Sequence, residues 1–468
     1  MINSFSNNNT IAAISTPPGN GGIGIIRVSG FNAFDIGLSL FKRKADKKFL
    51  SLKMEALKYR YLYHGFIIDP HLEFVIDEVL IVFMKSPYSY TREDIVEIHS
   101  HSGKFVLDKI LSLVLNSGSE PAAPGEFTKR AFLNGRIDLT KAESVMDIIN
   151  SSSEASHRIA ASLSSGELKE KIIEARNKLI DIEANIIAFV DFPDDIDEYF
   201  DHSLFLKTIN EIKKEIGSLI LNYDNCHQVR DGYKITIAGP PNAGKSSLLN
   251  KLISKERAIV TSIPGTTRDI IEEALNLDGF PLVLSDTAGI RETDNEIEKI
   301  GVLKSRELLE KSDLIIFLID GSEPFYPETD KLFQEIKNYP FILVVNKIDL
   351  FGKDVSRGTF LTEKNQPLYI SAKENKGIDE LKNKIVHYFG KNFTSSDSYL
   401  VPNKRQYSVL KKLNSKVSLI SSSVNDNYDI ELISYDLKTC IDLCSEIIGE
   451  LVSPDILDRV FSNFCIGK

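Results

Sequence analysis

The spacing Gly239-x-x-x-x-Gly244-Lys245-Ser246 sits between the apolar run ITIA and the helix-like SSLLNKLIS, and it can cradle a phosphate chain. Glycines let backbone N–H groups approach the phosphates, Lys245 can reach the β and γ oxygens, and the Ser246 hydroxyl can ligate Mg²⁺. Asn242, Ala243 and Ser247 complete the loop around the nucleotide. Three further elements follow in order. Asp286-Thr287-Ala288-Gly289 ends an apolar run, so its carboxylate can hold Mg²⁺ through water while the Gly289 N–H meets the γ-phosphate. Asn346-Lys347-Ile348-Asp349 also ends a strand-like run; a carboxylate at Asp349 accepts two hydrogen bonds from guanine N1–H and N2–H₂, which adenine cannot offer. Ser371-Ala372-Lys373 would close over the guanine O6. Between the first two elements lies IVTSIPGTTRD, residues 259–269, in which Thr267 could complete the Mg²⁺ shell when the loop orders over the γ-phosphate. Thr261, Ser262, Ile263, Pro264, Gly265 and Thr266 belong to the same nucleotide-covering loop. Ile290 follows the aspartate motif, and an apolar side chain there cannot orient water, so catalysis must draw on another group.

The elements that must position these loops alternate strand-like KITIA, VLSD, LIIFLID, FILVVNKID and LYISAK with helix-like segments, the pattern of a mostly parallel α/β sheet with Ras-like P-loop connectivity. That pattern occupies residues 232–390. Upstream, residues 1–121 alternate strand-like runs at 23–28, 62–68, 78–84 and 94–99 with a helix-like run at 105–115, giving an α+β domain. Gly19-x-Gly21-x-x-Gly24 matches a dinucleotide fingerprint in form only, because its glycines open onto a strand and not onto a helix N-terminus. Glu97, His99 and His101 alternate and would share one strand face; a solvated or ligand-facing polar surface explains them more simply than a metal. The basic run KRKADKK, residues 42–48, reads as a solvated loop.

Residues 122–231 are helix-rich. Thr140-x-x-Glu143 has the form of a capping box, and Val145, Ile148 and Ile149 follow at helical spacing. The acidic DFPDDIDE at 191–198 reads as a solvated loop before the next helix. Residues 391–468 are helix-like again and too few for an independent core, so they are expected to pack on the helices of 125–224, with the nucleotide domain inserted between.

The chain has 468 residues, long enough for about three domains at roughly 150 residues each. Its formal net charge of −10 argues against gripping nucleic acid through the overall field, so such a role needs a local patch or a partner. The start lacks a secretory pattern and no long apolar stretch occurs, which predicts a cytoplasmic protein. Four cysteines without metal spacing predict no disulfides, and Cys440 and Cys444, four apart, read as packing on one helix face.

Taken together, GPPNAGKSSLLN, the GTTRD loop, DTAGIRE, PGEFTKRAFLNGRIDLTKAE and above all the C-terminal LDRVFSNFCIGK resemble the MnmE (TrmE) family of tRNA-modification GTPases, over nearly the whole chain. The resemblance implies an N-terminal domain that dimerises and binds a formyl-tetrahydrofolate, a discontinuous helical domain, and an inserted G domain. It implies activation by K⁺, held by Asn242, Thr261, Ile263 and Thr266, and a water-activating acid at Glu298, with Arg291 ordering the second switch. The folate positions would be Arg27, Glu97, Arg136 and Lys468, where Arg136 departs from the family's usual lysine; Cys465 is either a reactive thiol or a tail anchor. It further implies an FAD-containing partner, MnmG or GidA, in a heterotetramer, and a 5-aminomethyl or 5-carboxymethylaminomethyl group on the wobble uridine, position 34, of tRNA. A second class of reading is a ribosome-assembly GTPase without modification chemistry. Such proteins usually append an RNA module or second G domain, and the sequence has one G domain and no recognisable RNA module.

Overall fold

Period-2 alternation of apolar residues builds the first sheet, and its alternate faces do different work. In chain order its elements are β1 (Ile11–Ile14), β2 (Ile23–Ser29), α1 (Ala33–Leu40), β3 (Phe41–Ala45), β4 (Lys48–Ser51), β5 (Leu62–Asp69), β6 (Phe74–Met84), β7 (Ile95–His101), α2 (Lys104–Asn116) and β8 (Glu120–Pro121). The strands lie in the order β4-β3-β5-β6-β7-β2-β1-β8, antiparallel except for the short β1–β8 pairing. Ile26, Val28, Ile81, Phe83, Val96 and Ile98 share one face and form a core with residues of α1 and α2. Arg27 pairs in register with Glu97, which in turn faces Val82, so these belong to the other face. Gly24 lies inside β2, where an added Cβ would stand 2.6 Å from Leu107 of α2. The third glycine of the fingerprint-like run therefore serves helix–sheet packing and no dinucleotide.

The computed structural model describes residues 9–17, 19, 21–45, 48–70, 72, 74–151, 153–191, 202–253, 272–286, 308–322, 327–350, 366–390, 400–425 and 430–468. The chain forms two compact units, Met1–Met146 with Leu168–Ile209 and Lys416–Lys468, and Asp147–Glu167 with Asn210–Ser415. The basic run is not the loop expected. Residues 42–44 continue β3 and pair with β4, Lys44 opposite Phe49, because the antiparallel partner satisfies their backbone while Arg43 and Lys44 stay exposed.

The helices that follow are α3 (Glu126–Leu133), α4 (Leu139–Asn150), α5 (Glu154–Ser165), α6 (Glu167–Asp191) and α7 (His202–Asp231). The cap of α4 falls two residues before the expected Thr140: Asp138 Oδ1 accepts from the Lys141 N–H at 3.0 Å and from the Thr140 hydroxyl at 2.5 Å. A carboxylate outcompetes a hydroxyl for the first-turn donors, and such a cap contributes about 1 kcal/mol. Ile172, Ala175, Leu179, Ile182 and Ile186 form the buried stripe of α6, while Ile180 and Ile187 face outward. Residues 192–198 of the acidic stretch lie outside the described residues.

The second sheet comprises β9 (Tyr233–Ala238), β10 (Glu272–Leu277), β11 (Phe280–Asp286), β12 (Leu314–Asp320), β13 (Phe341–Asn346) and β14 (Leu368–Tyr369) in the order β10-β11-β9-β12-β13-β14. Every pairing is parallel except β10 with β11. The helices α8 (Lys245–Ile253) and α9 (Pro327–Ile336) lie between its strands and α10 (Ile378–Gly390) follows the last of them; β12, buried at every position, is at its centre. The chain ends in α11 (Lys404–Asn425), α12 (Ile430–Ile448) and α13 (Pro454–Phe461). Phe461 and Phe464 bury against Leu139 and Ala142 of α4, and Arg176 of α6 pairs with Glu450. All four cysteines are free; burial pushes the thiols of Cys440 and Cys444 up to about 12, consistent with packing.

Candidate functional site

In a parallel sheet the loops at the carboxyl ends of the strands converge, and here they carry all the chemistry. β9 runs into Gly239, β11 ends at Asp286, β12 at Asp320, β13 at Asn346, and β14 leads to Ser371. Gly239 passes so close to β12 that a Cβ would stand 2.0 Å from the Leu318 carbonyl oxygen. Asn242 and Gly244 take left-handed backbone conformations, φ 61° and 93°. Asn tolerates that region and glycine favours it, which lets the loop curl around an anion before α8 begins. The Lys245 ammonium donates to the carbonyl oxygens of Gly239 and Pro240, each at 2.9 Å, and is thereby held over the loop.

One buried amide joins the phosphate loop to the base-side loops. Asn346 Nδ2 donates to the Ala243 carbonyl at 2.9 Å, and its Oδ1 accepts from the Ala372 N–H at 3.0 Å. Beside it, the Ser371 hydroxyl donates to Asp349 Oδ1 at 2.6 Å, and this bond holds the Asp349 carboxyl below its ordinary range. Asp349 is half-buried, at the rim of a cavity of about 680 Å³ that Gly244, Asn346, Lys347 and Lys373 also line.

Sequence reasoning passed over Asp320. It is buried and accepts from Lys347 Nζ at 2.5 Å; burial pushes its carboxyl up, but Lys347 and Ser322 together hold it below the usual range. The signal was present, an aspartate closing the most apolar strand of the chain. Lys347, at φ 64°, is thus anchored by its side chain in a backbone conformation that lysine rarely adopts. Thr261, Ser262, Ile263, Pro264, Gly265, Thr266, Thr267, Thr287, Ala288, Gly289, Ile290, Arg291 and Glu298 lie outside the described residues.

A second cluster forms on the outer face of the first sheet. Arg27 pairs with Glu97 at 2.7 Å and its guanidinium lies 5.7 Å from the Tyr90 ring; Arg136 lies 4.7 Å from the same ring and donates to the Tyr90 carbonyl. Burial pushes the Glu97 carboxyl up, but His99 and Arg27 more than offset it and hold it low. The chain's end joins them: Gly467 O accepts from Ser15 Oγ at 3.0 Å and from Arg27 at 3.4 Å, and the Gly125 N–H donates to Cys465 O at 3.3 Å. Arg27 and Arg136 therefore lie against Tyr90, Glu97 joins them through Arg27, and Lys468 is the next residue after Gly467. Tyr90 itself carried no signal in the sequence. His101 turns to Asp77 at 2.8 Å, and among the described residues no group of three His, Cys, Asp or Glu side chains is disposed to hold a metal.

A phosphate loop, a base-side Asn-Lys-x-Asp and a Ser-Ala-Lys loop on the carboxyl edge of a mostly parallel sheet define a P-loop GTPase. Comparison with known proteins narrows the class. The family described as GTP-binding protein TrmE N-terminus matches residues 10–136, and the MnmE helical domain matches residues 139–465. The tRNA modification GTPases MnmE of Natranaerobius thermophilus and Thermoanaerobacter pseudethanolicus are each 42% identical to this chain, over 98% of it and 99% of the relative. Among solved structures, the G domain of the T. maritima FeoB iron transporter is 28% identical over 34% of this chain and 98% of that domain, with a TM-score of 0.26. The chain belongs to the MnmE family, and it is a GTP hydrolase that acts in tRNA modification.

Proposed function

We propose that the protein is a K⁺-activated GTPase that works with an FAD-dependent partner of the MnmG (GidA) type. Together they place an aminomethyl or carboxymethylaminomethyl group at C5 of the wobble uridine, using a one-carbon tetrahydrofolate donor. The observation that carries this reading is that Arg27 and Arg136 lie against Tyr90 and Arg27 pairs with Glu97, beside the last residues of the chain. A plain nucleotide switch has no use for such a cluster. Arg27 and Arg136 suit the carboxylates and ring oxygens of a folate, and Glu97, held ionised, suits the pterin amine and N3–H. Lys468 and Cys465 would belong to the same site. In our reading residues 1–121 dimerise and hold the folate, 122–231 with 391–468 form the helical domain, and 232–390 form the G domain of a cytoplasmic protein. Among the described residues no helix is long and apolar enough to cross a membrane.

Within the G domain, Ser246, at the second position of α8, would take Mg²⁺ together with Thr267 and, through water, Asp286. Asn242, turned into the left-handed region at the mouth of the phosphate loop, would offer its side chain to K⁺ with Thr261, Ile263 and Thr266. The cation would supply positive charge where negative charge develops between the β and γ oxygens. Glu298 would activate water and Arg291 would order the loop that follows Asp286.

Titration of 5-formyltetrahydrofolate into the full-length protein tests the folate reading. Saturable binding is expected, weakened at least about tenfold in Glu97→Gln through loss of a charge-assisted hydrogen bond; absence of binding to the wild type would remove the reading. GTP turnover tests the cation. In KCl it should exceed that in NaCl at equal ionic strength on the order of tenfold, and the preference should vanish in Asn242→Ala. Equal rates in the two salts for the wild type would withdraw K⁺ and the residues assigned to it.

A further inference from the structure

A protein of net charge −10 that acts in tRNA modification needs a local positive patch or a partner to hold the RNA, and one end of the first sheet offers such a patch. Between positions 42 and 60 the sequence places eight basic residues against two acidic ones. The fold gathers them. β3 pairs antiparallel with β5 through Phe41↔Ile67 and Lys42↔Phe66, so its far end, at Lys44, runs toward the start of β5 at Leu62. The Arg60 N–H donates to the Phe83 carbonyl at 2.8 Å, which sets residues 58–60 at that same end, where β6 finishes.

Aromatic rings are interleaved with the cations. Lys58 Nζ stands 6.0 Å from the Tyr61 ring, the Arg60 guanidinium 5.7 Å from Tyr88, and Lys85 Nζ 5.3 Å from Phe34, on which Tyr59 stacks. The tyrosines are open to solvent, Tyr59 at 49%, Tyr61 at 53% and Tyr88 at 72%. Two neighbouring acidic groups are engaged, Asp94 with Lys85 at 2.7 Å and Glu78 with His64 at 2.6 Å, while Glu55 stays exposed in the same stretch. Beyond the tip, β4 is the edge strand of the sheet and is exposed at all four positions.

Exposed rings beside cations suit a ligand that offers both phosphates and flat faces. Protein interfaces also bury tyrosines, but the excess of cations over acids in this stretch favours a polyanion whose bases can stack on the rings. We propose that this end of the first sheet, with Lys44, Lys48, Lys58 and Arg60 on phosphates and Tyr61 and Tyr88 against bases, is where the tRNA docks. The inference rests on the family's role in tRNA modification and is independent of the folate and potassium readings.

The test uses the full-length protein and a tRNA transcript with uridine at position 34, with binding measured by fluorescence anisotropy over a series of KCl concentrations. In the triple variant Lys44→Ala, Lys48→Ala, Lys58→Ala, affinity at moderate salt should fall on the order of 10- to 100-fold. The slope of log affinity against log salt should shrink by about 2 to 3, roughly one for each phosphate no longer neutralised. The triple lysine-to-arginine variant should bind as the wild type does. Tyr61→Leu should weaken binding about tenfold with an unchanged salt slope, and Tyr61→Phe should restore it. Basal GTP turnover should be the same in all of them. Wild-type affinity and slope in the alanine variant would overturn the assignment and leave the tRNA-modifying role standing. So would unchanged tRNA binding accompanied by loss of self-association in sedimentation, which would mark the surface as an interface between copies of the chain.

Discussion

Asp349→Asn should turn the protein from GTP to XTP. Guanine presents two donors on this edge, N1–H and N2–H₂, and the carboxylate accepts both. Xanthine keeps the N1–H but carries a carbonyl at C2, so it presents one donor and one acceptor. An asparagine amide offers the complementary acceptor and donor. In the variant GTP loses one charge-assisted bond outright and meets an N–H facing an N–H. At about 1.5–3 kcal/mol for each such bond, GTP affinity should fall on the order of 10²- to 10⁴-fold while XTP gains. The structure makes the exchange clean. Ser371 Oγ fixes the side chain at position 349, and a hydroxyl can serve an amide oxygen as readily as a carboxylate. The Asn346 bridge between Ala243 and Ala372 does not involve Asp349, so the cavity should keep its shape. Turnover of each nucleotide at several concentrations measures it. An unchanged preference for GTP would mean that another group reads the base and that Asp349 serves only to hold Ser371.

How much of this could be read in advance depended on whether a residue's role is local. The phosphate loop declares itself because its requirements are sequential: a strand, a tight turn with backbone N–H groups exposed, a lysine and a helix start, all within about ten residues. The strands beneath the other loops were equally plain, since β12 and β13 are apolar runs too short for helices and end in polar residues. The antiparallel edge strand β10 was missed. EEALNL alternates only over Leu275-Asn276-Leu277, too short a run to declare a strand by itself, and its backbone is paired by β11. The hairpin of β3 and β4 escaped for the same reason. Its basic residues read as solvent-exposed, which Arg43, Lys44 and Lys48 are, without showing that their backbone is paired. The α5 cap is made by Ser153 and Ser156 bonding reciprocally, a box in which serine stands where glutamate or glutamine is usual. In the outer-face cluster, Arg27, Glu97 and Arg136 are far apart in sequence and came from family resemblance. Only the fold shows Tyr90 between the two arginines. A cluster assembled from such distant positions leaves no periodic trace in a single chain.

Gly239→Ala should do more damage than any other single methyl group added to the second unit. The new Cβ would lie 2.0 Å from the Leu318 carbonyl oxygen and 3.0 Å from its carbon, and neither belongs to a side chain that can swing away. Leu318 is inside β12, which is bonded to β9 on one side and β13 on the other, so relief requires the two central strands to part where Ala238 pairs with Phe317. Overpacking of a core costs about 1–3 kcal/mol when side chains absorb it, and a backbone clash at the centre of a sheet belongs at or above the top of that range. For a unit of this size that lowers the midpoint of thermal unfolding by roughly 6–12 °C. The same methyl group should also abolish GTP binding at temperatures where the variant is still folded, because Gly239 and Pro240 supply the carbonyls that hold Lys245 over the loop. Gly217→Ala is the matched control. Gly217 sits inside α7 with nothing within 4 Å of an added Cβ, and alanine there should stabilise by about 0.5–1 kcal/mol with GTP affinity unchanged. Thermal melts with and without GTP separate the two effects. If Gly239→Ala melted with the wild type and still gained stability from GTP, the close approach of β9 and β12 at Gly239 would not be what seats the phosphate loop.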